Sequence, residues 1–272
     1  MPSAPLPDRG LVEVSGPDRA SFLQGLVSND VTALGTGMAW AALLSPQGKW
    51  ISDFLAFDAP ALTPEAIFLD LPRADAPMVV ERLSRFRLRS KVTLTDRSGE
   101  VPVGAVWGEE PPLASLARQD PRLETAGWRV YGAALEGDPA AYDRHRLALG
   151  LPDGVRDLDR DKSVLLEAGF DELHGIAWEK GCYMGQELTA RTRYRGLLKR
   201  RLVPVSVEGP LPPRDTPVTR DGAVVGEMRS GQEGLGLALL RMEAARAPAL
   251  TCGEAVLRPV IPAWMRLPAA AA

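Results

Sequence analysis

The densest cluster of chemically capable residues in this chain is Lys180-Gly181-Cys182-Tyr183-Met184-Gly185-Gln186-Glu187. Two glycines bracket a cysteine and an aromatic, and a helical pattern opens at Gln186 and runs to about Arg191. A thiol on a glycine-hinged loop, with Lys180 just upstream and a helix start just downstream, is favoured as thiolate, the form that attacks disulfides and binds metals. A small buried hydrophobe in a tight turn is the competing role for such a cysteine. Arg191, Arg193, Arg195, Lys199, Arg200 and Arg201 follow with no acid among them. Guanidinium forks suit phosphate or carboxylate, and a solvated strand face is the plainer expectation. Glu167 stands alone in the apolar run Leu165-Leu166-Glu167-Ala168-Gly169. There it needs donors, as a helix cap or from a planar heterocycle. Asp53 and Asp70 each interrupt a strand pattern and would face water on a sheet's polar side unless a site claims them.

Composition narrows the classes. With 272 residues, the chain holds two units or a few small ones at roughly 100–200 residues per domain. Lys+Arg 32 against Asp+Glu 35 gives a net charge of −3, so a chain-wide nucleic-acid binder is not expected. Two cysteines and two histidines make neither a disulfide framework nor a full metal cage, and no bound metal is expected. No apolar stretch reaches the length of a membrane span, and Met1–Gly10 has no basic head followed by an apolar run. A cytoplasmic protein with reduced thiols is expected.

The elements that must position these residues follow from periodicity. Gly10–Ser15 alternates as a strand, and Gly16-Pro17-Asp18 opens a helix with the stripe Phe22, Leu23, Leu26, Val27, ended by Ser28-Asn29-Asp30. Ala39–Leu44 and Ile51–Phe57 read as a hairpin across Ser45-Pro46-Gln47-Gly48-Lys49. Strand Ala66–Leu71, a helix from about Asp75 to Leu88, and strands at Lys91–Thr95, Val101–Trp107 and Gly127–Ala133 continue the order. That succession is the pattern of a split βαβ, ferredoxin-like antiparallel sheet. Gly108–Glu124 is expected as irregular loop, and Asp138-Pro139 begins a helix closed by Gly150. Leu151–Lys162 carries seven charged residues in twelve and is expected to be a mobile, solvated loop. Past Arg201, short alternating runs at Leu202–Val207, Val224–Met228, Leu235–Leu239 and Ala255–Val260 predict a small barrel or sandwich, with Ala269–Ala272 frayed.

The octapeptide KGCYMGQE resembles the signature of the YgfZ-type folate-binding proteins. Those proteins support iron–sulfur cluster assembly and repair and are relatives of the aminomethyltransferase (T-protein) of the glycine cleavage system. Val14–Asp18 with Phe22–Asp30 is similar to the family's amino-terminal block, Ser45–Asp53 to its glycine hairpin, and Phe86–Val92 to its helix-to-strand junction. The match covers most of residues 10–205.

This resemblance implies an α+β, T-protein-like ring of three units around a folate pocket, with ferredoxin-like antiparallel sheets and a small C-terminal β-barrel. The first unit, 6–45 plus 138–200, would be interrupted by the second, 46–137, and 201–265 would form the barrel. Cys182 would be the functional cysteine with Lys180 beside it, and Tyr183, Gln186 and Glu187 would shape its loop. Glu167 would bind the pterin, Asp70 would stand where T-proteins place a pterin-contacting Asn, and Asp53 would be what remains of their paired Asp, here Ser52-Asp53. Arg191 and Arg193 are assigned to the glutamate tail by charge rather than by motif.

The implied cofactor is tetrahydrofolate or a one-carbon derivative. The implied partners are iron–sulfur client enzymes or assembly factors, with the chain a monomer and no membrane involved. T-proteins carry an acid where Cys182 stands and a paired Asp where this chain has Ser52-Asp53, departures that count against aminomethyl transfer from a lipoyl carrier. A folate-dependent aminomethyltransferase or methyltransferase of a small amine is the alternative to an accessory protein. The sequence supports both a catalyst and a folate-gated scaffold, and an RNA-binding face on Arg191–Arg201 is a third reading.

Overall fold

Alternating apolar residues build two antiparallel sheets before a barrel closes the chain. The computed structural model describes residues 1–108, 110–114, 116–196 and 198–267, so the expected fraying at 269–272 lies outside the described residues. In chain order, β1 (Ser3–Pro5), β2 (Arg9–Ser15) and α1 (Arg19–Gln24) lead into the hairpin of β3 (Met38–Leu44) and β4 (Trp50–Asp58). Next come β5 (Ala66–Pro72), α2 (Ala76–Ser84) and β6 (Thr93–Asp96). These form a five-stranded sheet ordered β3-β4-β5-β2-β6.

Both faces of this sheet are covered. Val12, Val14, Ala41, Phe54 and Leu69 pack with Phe22 and Leu23 of α1 and Val79 and Leu83 of α2. On the other face the register sets Trp40 opposite Leu55, Ala42 opposite Asp53, and both Leu55 and Leu11 opposite Asp70. That face meets the second sheet, in which β7 (Val103–Val106), β8 (Ala117–Gln119) and β9 (Trp128–Tyr131) join β1 in the order β1-β7-β9-β8. Phe57 and Tyr131 stack across the junction with ring centroids 4.1 Å apart.

Helix α3 (Pro139–Leu149) begins at Asp138, whose carboxylate accepts from the Ala140 N–H at 2.9 Å, and stops at Gly150 with φ +76°. After α4 (Gln186–Tyr194) come β10 (Arg200–Glu208), β11 (Pro217–Arg220), β12 (Ala223–Gln232), β13 (Leu235–Arg241), β14 (Leu250–Cys252) and β15 (Ala255–Pro259). They close into a barrel ordered β10-β13-β12-β11-β14-β15. Among the described residues no helix is long and apolar enough to cross a membrane.

Five expectations change. The strands of 46–137 do not share one ferredoxin-like sheet: β4, β5 and β6 lie in one sheet with β2 and β3, and β7 to β9 lie in another with β1. A boundary at residue 45 cuts the β3–β4 hairpin, because the long-range register of β2 with β5 and β6 is invisible to local periodicity. Helix α2 ends at Ser84 rather than Leu88, which sits at φ +41°. The barrel has six strands rather than four, the extra pair being short.

Finally, Leu151–Lys162 is not a solvated loop. Asp157 is buried and accepts from Arg146 Nη1 at 2.8 Å, the Asp153 N–H at 2.8 Å and the Ser230 N–H at 3.1 Å. Asp159 receives Arg214 at 2.6 Å and Arg229 at 2.9 Å, and Arg160 pairs with Asp75. The charges serve as ties between α3, the barrel and the first sheet. Asp157→Ala should therefore cost about 3–5 kcal/mol by denaturant unfolding, since it removes the buried carboxylate on which Arg146, the Asp153 N–H and the Ser230 N–H converge. A loss under about 1 kcal/mol, the worth of an exposed pair, would return the segment to the solvated class.

Candidate functional site

Where the Asp70 face of the first sheet meets β9, α3 and the end of β12, a cavity of about 790 Å3 opens, lined in part by Arg9, Arg129, Tyr142, Arg146, Asp153 and Arg156. Ligand pockets commonly measure about 300–1,000 Å3. Five of those residues (Arg9, Arg129, Tyr142, Arg146, Asp153) also line a constriction of about 20 Å3 that reaches Trp40, Asp53 and Arg122. Such a space holds about one water molecule.

Asp53 and Asp70, expected to face water unless a site claims them, are both buried, Asp70 against Tyr131 of the second sheet and Asp53 among Trp40, Trp50 and Arg122. Trp40 Nε1 donates to Asp53 at 2.9 Å and Trp50 Nε1 at 3.1 Å. Burial nonetheless pushes the Asp53 carboxyl up to about 6, against the pull of Trp40, Arg9 and Arg122. Asp70 accepts from Arg9 Nε at 2.7 Å on one oxygen and from the Tyr131 hydroxyl at 2.9 Å on the other. Desolvation holds that hydroxyl's proton well above the usual tyrosine range.

The cysteine loop is a separate feature. Cys182 is exposed, whereas Cys252 is buried with Sγ 3.7 Å from the Thr216 carbonyl, and burial raises its thiol. Gly185 caps α4 at φ +81°, and a Cβ there would stand 2.5 Å from the Ser45 carbonyl oxygen and 3.0 Å from Gly48 Cα. The predicted hairpin turn thus packs backbone to backbone against the loop, which is what the second glycine of the motif allows. Tyr183 is buried, its N–H donates to Gln186 Oε1 at 3.2 Å, and burial pushes its hydroxyl up to about 12. Glu187 is exposed in the first turn of α4.

Lys180 is not the thiol's partner. Its Nζ donates to the Val27 carbonyl at 2.7 Å and the Asn29 carbonyl at 2.5 Å, lies 5.4 Å from the Tyr183 ring centroid, and is pushed down to about 8 by desolvation. Lys180 therefore anchors the loop. Asn29 in turn donates through Nδ2 to the Trp40 carbonyl at 2.7 Å, and Trp40 holds Asp53. A contiguous chain of contacts joins the cysteine loop to the inner end of the cavity.

Three expected residues stand elsewhere. Glu167 is not among the residues lining the cavity; its two oxygens face Arg200 Nε and Nη2 at 3.2 Å each. Arg191 is exposed on α4, and Arg193 stacks on Trp178 at 4.0 Å and stands 3.8 Å from the Asp171 carboxylate. The basic run is not one face either, since Arg201 is buried and bound to the Leu166 carbonyl and Glu172. Sequence reasoning missed Arg9, Arg129 and Tyr142. A signal existed in Trp128-Arg129-Val130-Tyr131, whose alternation puts Arg129 and Tyr131 on one face. Among the described residues no group of three or more His, Cys, Asp or Glu could hold a metal ion.

Sheets, barrel and cavity define a class. Over 97% of this chain and 86% of the other, the fold is similar to the crystal structure of glycine cleavage system aminomethyltransferase T from Bartonella henselae, with TM-score 0.74 at 16% sequence identity. Residues 199–267 match the family of the CAF17 C-terminal beta-barrel domain. The molecule is thus an aminomethyltransferase-T-like fold carrying a CAF17-type barrel. More narrowly, the chain belongs to the family of the iron–sulfur cluster assembly factor IBA57. It is 36% identical to the mitochondrial protein of Mus musculus over 281 residues (89% of this chain, 78% of the relative). Identity is 34% to the mitochondrial homolog of Mycosarcoma maydis (89% and 74%) and 33% to the Homo sapiens protein (95% and 84%).

The buried carboxyl gives a pH signature. Asp53 moves from an ordinary 3.8 up to about 6 in the fold. Between those values the unfolded chain has lost this proton while the folded chain keeps it, so the group makes the fold less stable as pH rises, by roughly 3 kcal/mol in all. Asp53→Asn should lose that downward component in denaturant titrations between about pH 4 and 6. An identical pH profile in the variant would show that Asp53 ionises as it does in the unfolded chain.

Proposed function

We propose that this chain is an iron–sulfur cluster assembly factor that binds a folate in the 790 Å3 cavity and meets client or assembly proteins through Cys182. The assembly role is supported by the family, and the folate by the resemblance to YgfZ-type proteins. The observation that carries the reading is the pairing of an exposed thiol with a ligand-sized cavity, joined through Lys180, Asn29, Trp40 and Asp53.

The residues fit a folate at the cavity's outer part. Arg129 and Tyr142 both stand in its wall, a guanidinium of the kind suited to a carboxylate beside an aromatic ring. At Asp53 the space admits about one water, so a pterin ring would reach that carboxylate only with movement of Trp40 or Arg122. Tetrahydrofolate, when bound, would supply a one-carbon acceptor. The protein's own contribution is to orient the ligand on rigid strands and to keep the thiol accessible on a fixed loop. The chain would act as a monomer in a reducing compartment, the cytoplasm, whereas the relatives above are named as mitochondrial.

A one-carbon transferase acting on a small amine is the second reading, favoured by the buried Asp53 carboxyl within an aminomethyltransferase-like fold. Calorimetric titration with tetrahydrofolate, paired with activation of an iron–sulfur client enzyme, tests the assignment. Cys182→Ser should bind folate as wild type does and lose client support by at least about tenfold, because a hydroxyl does not form a thiolate equivalent. Full support by the serine variant removes the thiol from the mechanism, and absence of tetrahydrofolate binding removes the cofactor. Turnover with a methylamine donor that needs Asp53 and not Cys182 would favour the transferase.

A further inference from the structure

The turn between α2 and β6 serves neither the cavity nor the cysteine loop. Arg85-Phe86-Arg87-Leu88-Arg89-Ser90-Lys91 holds four cations in seven residues with no acid, and none of the seven lines the cavity. In its middle stands Leu88, 90% exposed and at φ +41°. A leucine so exposed gains nothing from packing, and its Cβ makes the left-handed backbone costlier than Gly or Asn would. Neither the core nor the backbone accounts for a leucine here.

The turn is nonetheless fixed. The Ser90 N–H donates to the Arg87 carbonyl at 2.7 Å, and the Lys91 N–H to the Asp18 carboxylate at 2.7 Å. A Cβ at Gly16 would stand 2.3 Å from the Lys91 carbonyl oxygen, so the two backbones touch. Arg85 pairs with the exposed Glu81, whereas Arg87, Arg89 and Lys91 are exposed and, among the described residues, their side chains make no ion pair. Half-buried Phe86 shares a shallow surface hollow with Leu88 and Arg89. An apolar side chain is thus held out of the protein among cations that have no internal partner.

We propose that this turn docks on an anionic lipid bilayer, with Leu88 entering the acyl boundary and Arg87, Arg89 and Lys91 meeting the headgroups. Charge complementarity selects the anionic face, and guanidinium forks match phosphate oxygens in pairs. The form of the apolar element selects lipid over protein. A standard protein interface covers about 800 Å2 per partner and is anchored by side chains filling pockets. One leucine ringed by cations offers no such area, while a bilayer needs only an apolar tip and charge of the right sign. The contact is peripheral and reversible, because a single leucine buries little surface. The family resemblance brings no membrane with it; the turn alone carries the inference, independently of folate and of Cys182.

Co-sedimentation of the full chain with vesicles tests it, using phosphatidylcholine alone and a two-to-one mixture with phosphatidylserine. Wild type should bind the mixed vesicles at low salt at least about tenfold better than the neutral ones, and salt should weaken that binding. Leu88→Asp should weaken it by roughly 10- to 100-fold, the worth of one buried leucine side chain. Leu88→Gly separates docking from folding: Gly accepts the positive φ, so the variant should unfold at about the wild-type denaturant concentration yet bind at least about tenfold more weakly. Arg87→Gln combined with Arg89→Gln should cost roughly 10- to 30-fold. Binding that both Leu88 variants leave unchanged overturns the proposal, as does equal binding to neutral vesicles. Binding of a single-stranded RNA oligonucleotide without binding of the mixed vesicles assigns the cations to nucleic acid and overturns it as well.

Discussion

A carboxylate in the middle of a covered β-sheet is tolerated only when other groups satisfy it, and Asp70 draws its partners from two different elements. Arg9 comes from the start of β2, the next strand of the same sheet, while the Tyr131 hydroxyl comes from β9 of the other sheet. One buried acid therefore fastens two sheets that share no ladder hydrogen bonds with each other. The apolar stack of Phe57 on Tyr131 supplies area, and the hydroxyl supplies direction. Because side chains alternate along a strand, fixing Tyr131 also fixes Arg129 two residues earlier on the same face. The cavity wall is thus a by-product of satisfying Asp70.

The remaining arginines show how a chain of nearly balanced charge can line a cavity without filling it with counterions. Arg146 and Arg156 share Asp143, and Arg146 also reaches Asp157 and Ser230 in the barrel. Each is held by several acceptors, so their side chains have little rotamer freedom left to lose when a ligand arrives. Walls ordered in advance save part of the entropy that binding otherwise costs. The same ties join three elements distant in sequence, which is why the segment after α3 keeps its shape despite lacking regular structure.

What was legible in the sequence divides along a physical line. Strands and helices with a covered stripe were readable because burial imposes a period: β2, β3, β4, β5 and α3 follow the alternation or the caps that predict them. The hairpin at Pro46–Gly48 and the stop at Gly150 were readable because turn geometry restricts residue type. Sheet membership was not, since nothing local to Arg9–Ser15 states that it lies between β5 and β6. Of the candidate site, Cys182 was picked out by its loop and Asp53 and Asp70 by breaking an apolar pattern. Spacing alone sets Lys180 as a charge near a thiol, whereas its ammonium is turned toward main-chain carbonyls. Arg129 escaped notice because a lone arginine in a strand looks like an edge facing solvent until the opposite sheet is known.

The grip of Lys180 on the main chain at Val27 and Asn29 has a consequence for how the cysteine loop tolerates change. Carbonyl oxygens are the same whatever side chain follows them, so the anchor is indifferent to the identity of residue 27. It depends instead on spacing: the two oxygens must converge on one ammonium, and the intervening residue count sets where each points. The contact of Gly185 with the Ser45–Gly48 turn imposes the same demand from the other side. Inserting or deleting a single residue at either stretch would unseat the loop more surely than most substitutions, so length, rather than composition, is what these two segments must preserve.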